Sequence, residues 1–380
     1  MIRSPRFWLF MGFAVAAAGS GASWLSQRIK PGLVDWNIAR SVAMRFTSRP
    51  GDPDLLPATG ADYTGMVESS RQAVSEYLGR SAGSETAGVE VLDRRSWIEV
   101  NLANFQDLLE PFEDSYRRMN ASNATAARLL SGLTRLAVSA QLGTMIGYLS
   151  RKVLGQYDIP LFKPGMASIY LVDVNIDALA AKIGMNSSHL RRWVALHETT
   201  HAVEFESIPW LREHMAGLLQ EYLAEAGDTI MNPTRIRERL SSAGSDGVRG
   251  LRLSGLLRMM LTDRQVEIVS RIQALMSVVE GYSNHAMHGT GEYLIPDYKT
   301  VAHRMKLREK SRGVGFRVIS RMLGLDLKLE QYVIGENFVD YVVEERGIEF
   351  VNRVWESPET LPSLEEVRAP ERWIRRIESE

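Results

Sequence analysis

Two histidines four residues apart, with a glutamate directly after the first, give this chain its clearest chemical signal: His197-Glu198-Thr199-Thr200-His201. On a helix, residues i and i+4 project from one face, so both imidazoles can converge on a single metal ion. Glu198 lies about 100° further round. It can reach a water on that ion without ligating the ion, the division of labour of a metal-dependent hydrolase. A catalytic zinc takes three protein ligands, so a partner is required. Glu280 is the preferred one because it shares an apolar row with Ile272 and Met276, where a carboxylate is costly unless it meets a cation. Gly281 beside it gives two helices room to approach. Glu221 is the rival and Glu225 a weaker version of it. Asn284, one turn past Glu280, is placed to accept a hydrogen bond from a ligand imidazole. His288 lies roughly 12 Å from Glu280 by helix rise, too far to join the same ion. His285, Tyr282, Tyr332 and Tyr341 are candidate donors to an oxyanion.

These side chains need rigid carriers. Asn186, Ser187 and Ser188 offer N-caps, and no Gly or Pro interrupts the chain from Leu190 to Ile208. Trp193, His197, His201 and Phe205 fall on one row flanked by apolar residues, so both histidines face inward. Thr262-Asp263-Arg264-Gln265 is a capping-box pattern that opens a long helix to about His288. Ser168–Val172, after Pro164-Gly165, is the best strand candidate. It suits either an edge that pairs with an extended substrate backbone or a buried structural strand. A short helix over Ile176–Ile183 follows it. Further helices are expected over Val34–Phe46, Asp62–Leu78 and Ala121–Leu154, with small residues around Gly143 and Gly147 for close packing, and Val89–Leu92 reads as a short strand. After Pro209 a helix runs to Ala226, others reach about Leu240 and Leu261, and the chain is again helical from Tyr298. The fold class is mainly α, with a small β element next to the active-site helix.

The 380 residues are 45% hydrophobic and 24% charged, with a net charge of -1, which leaves no electrostatic case for nucleic acid. Cysteine is absent, so thiolate zinc sites, disulfides and cysteine nucleophiles are excluded together, and any metal must be held by His and carboxylate. No Gly-rich phosphate loop and no nucleophilic serine elbow is present. Residues 1–30 form a hydrophobic segment, uncharged between Arg6 and Arg28. It reads as a membrane anchor, a signal peptide or a helix on the domain, which predicts a membrane-anchored or secreted protein without excluding a cytoplasmic one. Residues 31–380 are expected to form one domain.

The chain resembles the zincin-like metallopeptidases found mainly in actinobacteria and chloroflexi, some of them labelled as associated with deazaflavin coenzyme biosynthesis. The resemblance is carried by Val34–Ala39, Gln141-Leu142-Gly143 through Gly155-Gln156-Tyr157-Asp158, and Trp193–Phe205 into Pro209–Arg212. It continues in Gln273–Met276 through Glu280-Gly281, Leu329–Phe338 and Trp355–Pro358. It implies a zincin-like metallopeptidase domain with His197, His201 and Glu280 on zinc and Glu198 as base. The family pattern often has acidic residues at the positions of Asn284 and His288, where this chain departs. The expectation is a zinc-dependent hydrolase acting on a peptide or protein. The alternatives are a membrane-tethered scaffold with a structural metal and an amidohydrolase of small molecules.

Overall fold

Caps and apolar periodicity set the helices of the computed structural model, which describes residues 32–47, 60–81, 86–120, 125–163, 165–231, 262–308 and 331–379. Asp35 caps α1 (Trp36–Met44) by accepting from the Ile38 N–H, and Asp62 caps α2 (Tyr63–Leu78) by accepting from Gly65. Strand β1 (Gly88–Val91) leads into α3 (Arg94–Asn120) and α4 (Thr125–Ser150). Strands β2 (Gly155–Asp158) and β3 (Ser168–Leu171) precede α5 (Asp173–Ile183), α6 (Ser187–Ser207) and α7 (Leu211–Met231). The long α8 (Asp263–Leu294) starts at the capping box read from the sequence, with both Thr262 and Gln265 hydrogen bonds formed. It is followed by a helix over 298–308, then α9 (Gln331–Arg346) and short helices that end with Pro370–Ser379.

The protein is therefore mostly helical with a small sheet, as expected. The strand order is β1-β3-β2, with β1 parallel and β2 antiparallel to β3. This decides between the two readings of Ser168–Val172 in favour of the buried structural strand. Ser168–Leu171 is the middle strand, paired on both sides and with Ile169 and Leu171 fully buried, so it has no edge to offer a substrate. The edges are β1, which the sequence announced at Val89–Leu92, and β2, which it hid behind the strong helical propensity running to Leu154. Four residues with two polar side chains, Gln156 and Asp158, carry too little alternation to announce a strand.

Apolar faces of α2, α6, α8 and α9 close over the sheet in the main core, which includes Leu190, Leu196, Ile208, Val278 and Phe338. Burying each such side chain contributes about 1.5–3 kcal/mol. A smaller cluster forms where α1 lies on α3 and α4, around Trp97, Ile98 and Ile146. Gly143 permits that contact, since a Cβ there would stand 2.2 Å from the Ala39 carbonyl oxygen.

Helix α6 is pinned at both ends. Near its start, the Arg191 Nε donates to Asp173 at 2.7 Å and its NH2 group to Asp177 at 2.6 Å, while Tyr63 also donates to Asp173. Near its end, Glu206 pairs with Arg71 and accepts the Ala87 N–H at 2.8 Å. Breaking either buried pair would strand a charge. The hydrophobic segment at residues 1–30 and the helices expected to reach Leu240 and Leu261 lie outside the described residues. No helix among the described residues is long and apolar enough to cross a membrane.

Candidate metal centre

Thr199 and Thr200 are fully buried, and each hydroxyl is satisfied by donating to the carbonyl four residues back, at 2.6 and 2.7 Å. Four residues apart on α6, His197 and His201 stand on one face, ring centroids 4.8 Å apart and nearly perpendicular. Helix α8 runs antiparallel across that face, placing Ser283 against His201 and Met287 against His197. The contact brings in Glu280. One nitrogen from each histidine and one Glu280 oxygen all lie within 4.8 Å of one another.

Hydrogen bonds decide which imidazole nitrogen faces that point. The Ser283 hydroxyl donates to Glu204 Oε2 at 2.8 Å, so its lone pair accepts from Nδ1–H of His201 at 3.0 Å. Glu204 Oε2 is itself 3.6 Å from Nδ1. His201 thus keeps Nε2 for a ligand. On His197, Nδ1 lies 3.2 Å from the Met287 sulfur, and Trp193 stacks on the ring at 5.4 Å and 6°.

The electrostatics around these groups favour a cation. Burial opposes a charge on His201, yet its hydrogen bond to Glu204 and the Glu280, Glu204 and Glu198 carboxylates outweigh it and raise its pKa to about 9. Burial pushes the Glu204 carboxyl up to about 7, with His201 and Ser283 pulling the other way. Glu280 is raised as well, by burial, against the pull of His201. Among the described residues none hydrogen-bonds the Glu280 carboxyl, and Glu204 Oε1 is buried without a partner. Two imidazole nitrogens, one carboxylate and a surplus of buried negative charge fit a divalent ion of the zinc type.

Glu198 is 7% exposed and lies against β2. Its Oε2 accepts the Tyr157 N–H at 2.9 Å, and Gly155 leaves the space it occupies: a Cβ on Gly155 would stand 2.6 Å from both Cγ and Oε1 of Glu198. The edge strand missed in the sequence therefore seats the expected base.

The rival ligands are elsewhere. Glu221 pairs with Arg264 and Arg271, and Glu225 accepts from Thr262 at 2.9 Å. Gly281 does allow a close helix crossing, but with α9 and not α6, since its Cβ would meet the Gly335 carbonyl oxygen at 2.2 Å. Asn284 lines a hollow beside the centre together with Trp193 and Met287. The groups found on His201 are Ser283 and Glu204. The latter was legible as a carboxylate inside the apolar run Ala202-Val203-Glu204-Phe205, the same signal that singled out Glu280. Of the suggested oxyanion donors, His285 is held between Tyr77 at 2.9 Å and Asp340 at 2.7 Å, Tyr282 donates to Asn352, and Tyr341 is exposed. The Tyr332 side chain lies outside the described residues.

A family model for zincin-like metallopeptidases matches residues 34–374, and the chain belongs to that family. No curated protein matches it. Among solved structures it is similar to a candidate hydrolase of novel fold from Chloroflexus aurantiacus, with 34% identity and a TM-score of 0.70 over 92% of this chain and 100% of that one.

Proposed function

We propose that the protein is a zinc-dependent peptidase in which His197, His201 and Glu280 hold the metal and Glu198 is the general base. The observation that carries this reading is the meeting of three ligand atoms within 4.8 Å, from residues of two separate helices, beside a carboxylate seated by Tyr157 and Gly155. Family membership and the similarity to a candidate hydrolase support the hydrolytic part of it.

When bound, zinc supplies a Lewis acid for the scissile carbonyl and brings the pKa of its water towards about 7. Glu198 accepts the proton of the attacking water and passes it to the departing amine. The Tyr157 N–H holds one carboxylate oxygen, so the base does not swing away between the two transfers. Ser283 and Glu204 keep the proton of His201 on Nδ1.

The test is Glu198→Gln. Its amide oxygen still accepts from Tyr157, so zinc content and unfolding temperature are expected to match the wild type, while cleavage of a peptide library falls by about 10²–10⁴-fold. Equal cleavage by both proteins would remove Glu198 as the base, and none by either with full zinc would sink the reading in favour of a structural metal. Release confined to small amides would shift the substrate class.

A further inference from the structure

Glycine at position 155 gives Glu198 its room and takes something from the strand that seats it. A Cβ there would overlap the Glu198 side chain, so β2 has no side chain at this position with which to pack on α6. Side chains alternate along a strand, which leaves Tyr157 as the other residue of β2 on that face. Its ring lies 6.0 Å from that of Phe205, one turn past His201. The ladder to β3 holds β2 along one side. A second set of contacts holds it from the back.

The back face carries the two polar side chains, Gln156 and Asp158, and α3 meets both. Asn104 Nδ2 donates to Asp158 Oδ1 at 2.7 Å, and Gln156 Nε2 donates to the same oxygen at 2.8 Å. Asn101 Nδ2 donates to Gln156 Oε1 at 3.3 Å and to the Trp97 carbonyl of its own helix at 2.9 Å. The chain just after β2 is tied as well: Arg212 donates to the carbonyls of Pro160 and Lys163, and Lys163 pairs with Asp107. Asn101, Asn104 and Asp107 recur every three residues, so one polar stripe of α3 faces the strand and the turn that follows it. An apolar stripe would also cover β2 but would let it slide. Hydrogen bonds tie it to one height, because they are lost once donor and acceptor separate past about 3.5 Å.

We infer that Asn104 and Asp158, supported by Asn101 and Gln156, are positioning residues for the base: they clamp β2 at the height where the Tyr157 N–H meets Glu198 Oε2. The inference rests on the peptidase reading above. Asp158 is the residue next to Tyr157, so a shift of its carboxylate is passed to that N–H through a single peptide unit. A misplacement of about 1 Å at a reacting group can cost about 10²-fold in rate, even when the mutated residue is far from the chemistry.

Asp158→Ala removes the acceptor that Asn104 and Gln156 share. In the zinc-loaded full-length protein it is expected to lower kcat for peptide cleavage by roughly 10–100-fold with KM little changed. Amide exchange at Tyr157 should speed up by about tenfold or more, with zinc content and the α6 amides as in the wild type. Asp158→Asn keeps the accepting oxygen and should restore both. In the Glu198→Gln background Asp158→Ala should cause no further loss, because no base is left to position. Asn104→Ala opens the clamp from the α3 side and takes the place of Asp158→Ala if that variant does not fold. Unchanged kcat in the folded variants, a fall in kcat without faster exchange, or an additive loss in the Glu198→Gln background overturns the inference and leaves the peptidase reading standing. No cleavage by the wild type with full zinc overturns that reading and the inference with it.

Discussion

The two histidines of the centre sit one turn apart on one helix, yet their surroundings differ in kind. His201 is oriented by polar groups, Ser283 and the buried Glu204, which fix its proton on Nδ1 and make the ring more basic. His197 has the Trp193 indole stacked on its ring and the Met287 sulfur 3.2 Å from Nδ1. A thioether is a weak acceptor and adds little basicity. The difference teaches that neighbours of unlike chemistry can hold two imidazoles of one centre, a buried carboxylate and hydroxyl that also tune basicity on one side, an indole and a thioether that add stiffness on the other.

Three substitutions break or sharpen this contrast. Trp193→Ala is expected to act mostly on folding, costing about 3–5 kcal/mol in urea denaturation because a buried indole is removed, with Trp193→Phe well below that. A folded Trp193→Ala protein that binds zinc at wild-type strength would show that packing does not aim His197. Glu204→Ala should leave the fold largely intact and weaken zinc by roughly 10–100-fold in a chelator competition, as loss of a carboxylate partner of a ligand histidine does. Smallest of all, Met287→Leu conserves volume and should change stability by less than about 1.5 kcal/mol. Its zinc affinity should stay close to wild type. If Met287→Leu weakened zinc as much as Glu204→Ala, the two sides would be equivalent and the contrast would fail.

Parts of this architecture were legible residue by residue. The Asn186 cap, the Thr262 capping box and the uninterrupted run from Leu190 to Ile208 are local signals, and the helices they predict are present. Glu280 was chosen for two reasons of unequal quality. Its place on an apolar row was sound, whereas Gly281 turned out to serve the crossing with α9. Strand β2 was hidden because its pairing energy comes from β3 and its placement from Glu198, both distant in sequence. Asn284 was expected to support a ligand imidazole because it is one turn from Glu280, but α8 presents Ser283 to His201 instead, and Glu204 reaches it from three residues along α6 itself.

What the sequence determined by itself is the chemistry available. Residues i and i+4 share a helix face wherever that helix lies, so His197 and His201 had to present a paired donor set, and a chain without cysteine had only histidine or carboxylate with which to complete it. Only the tertiary structure decided which of three glutamates closes the set, which strand seats Glu198 and what stands behind each imidazole. Those choices depend on how α6, α8 and β2 cross, and crossing geometry comes from side chains far apart in the chain packing together at once.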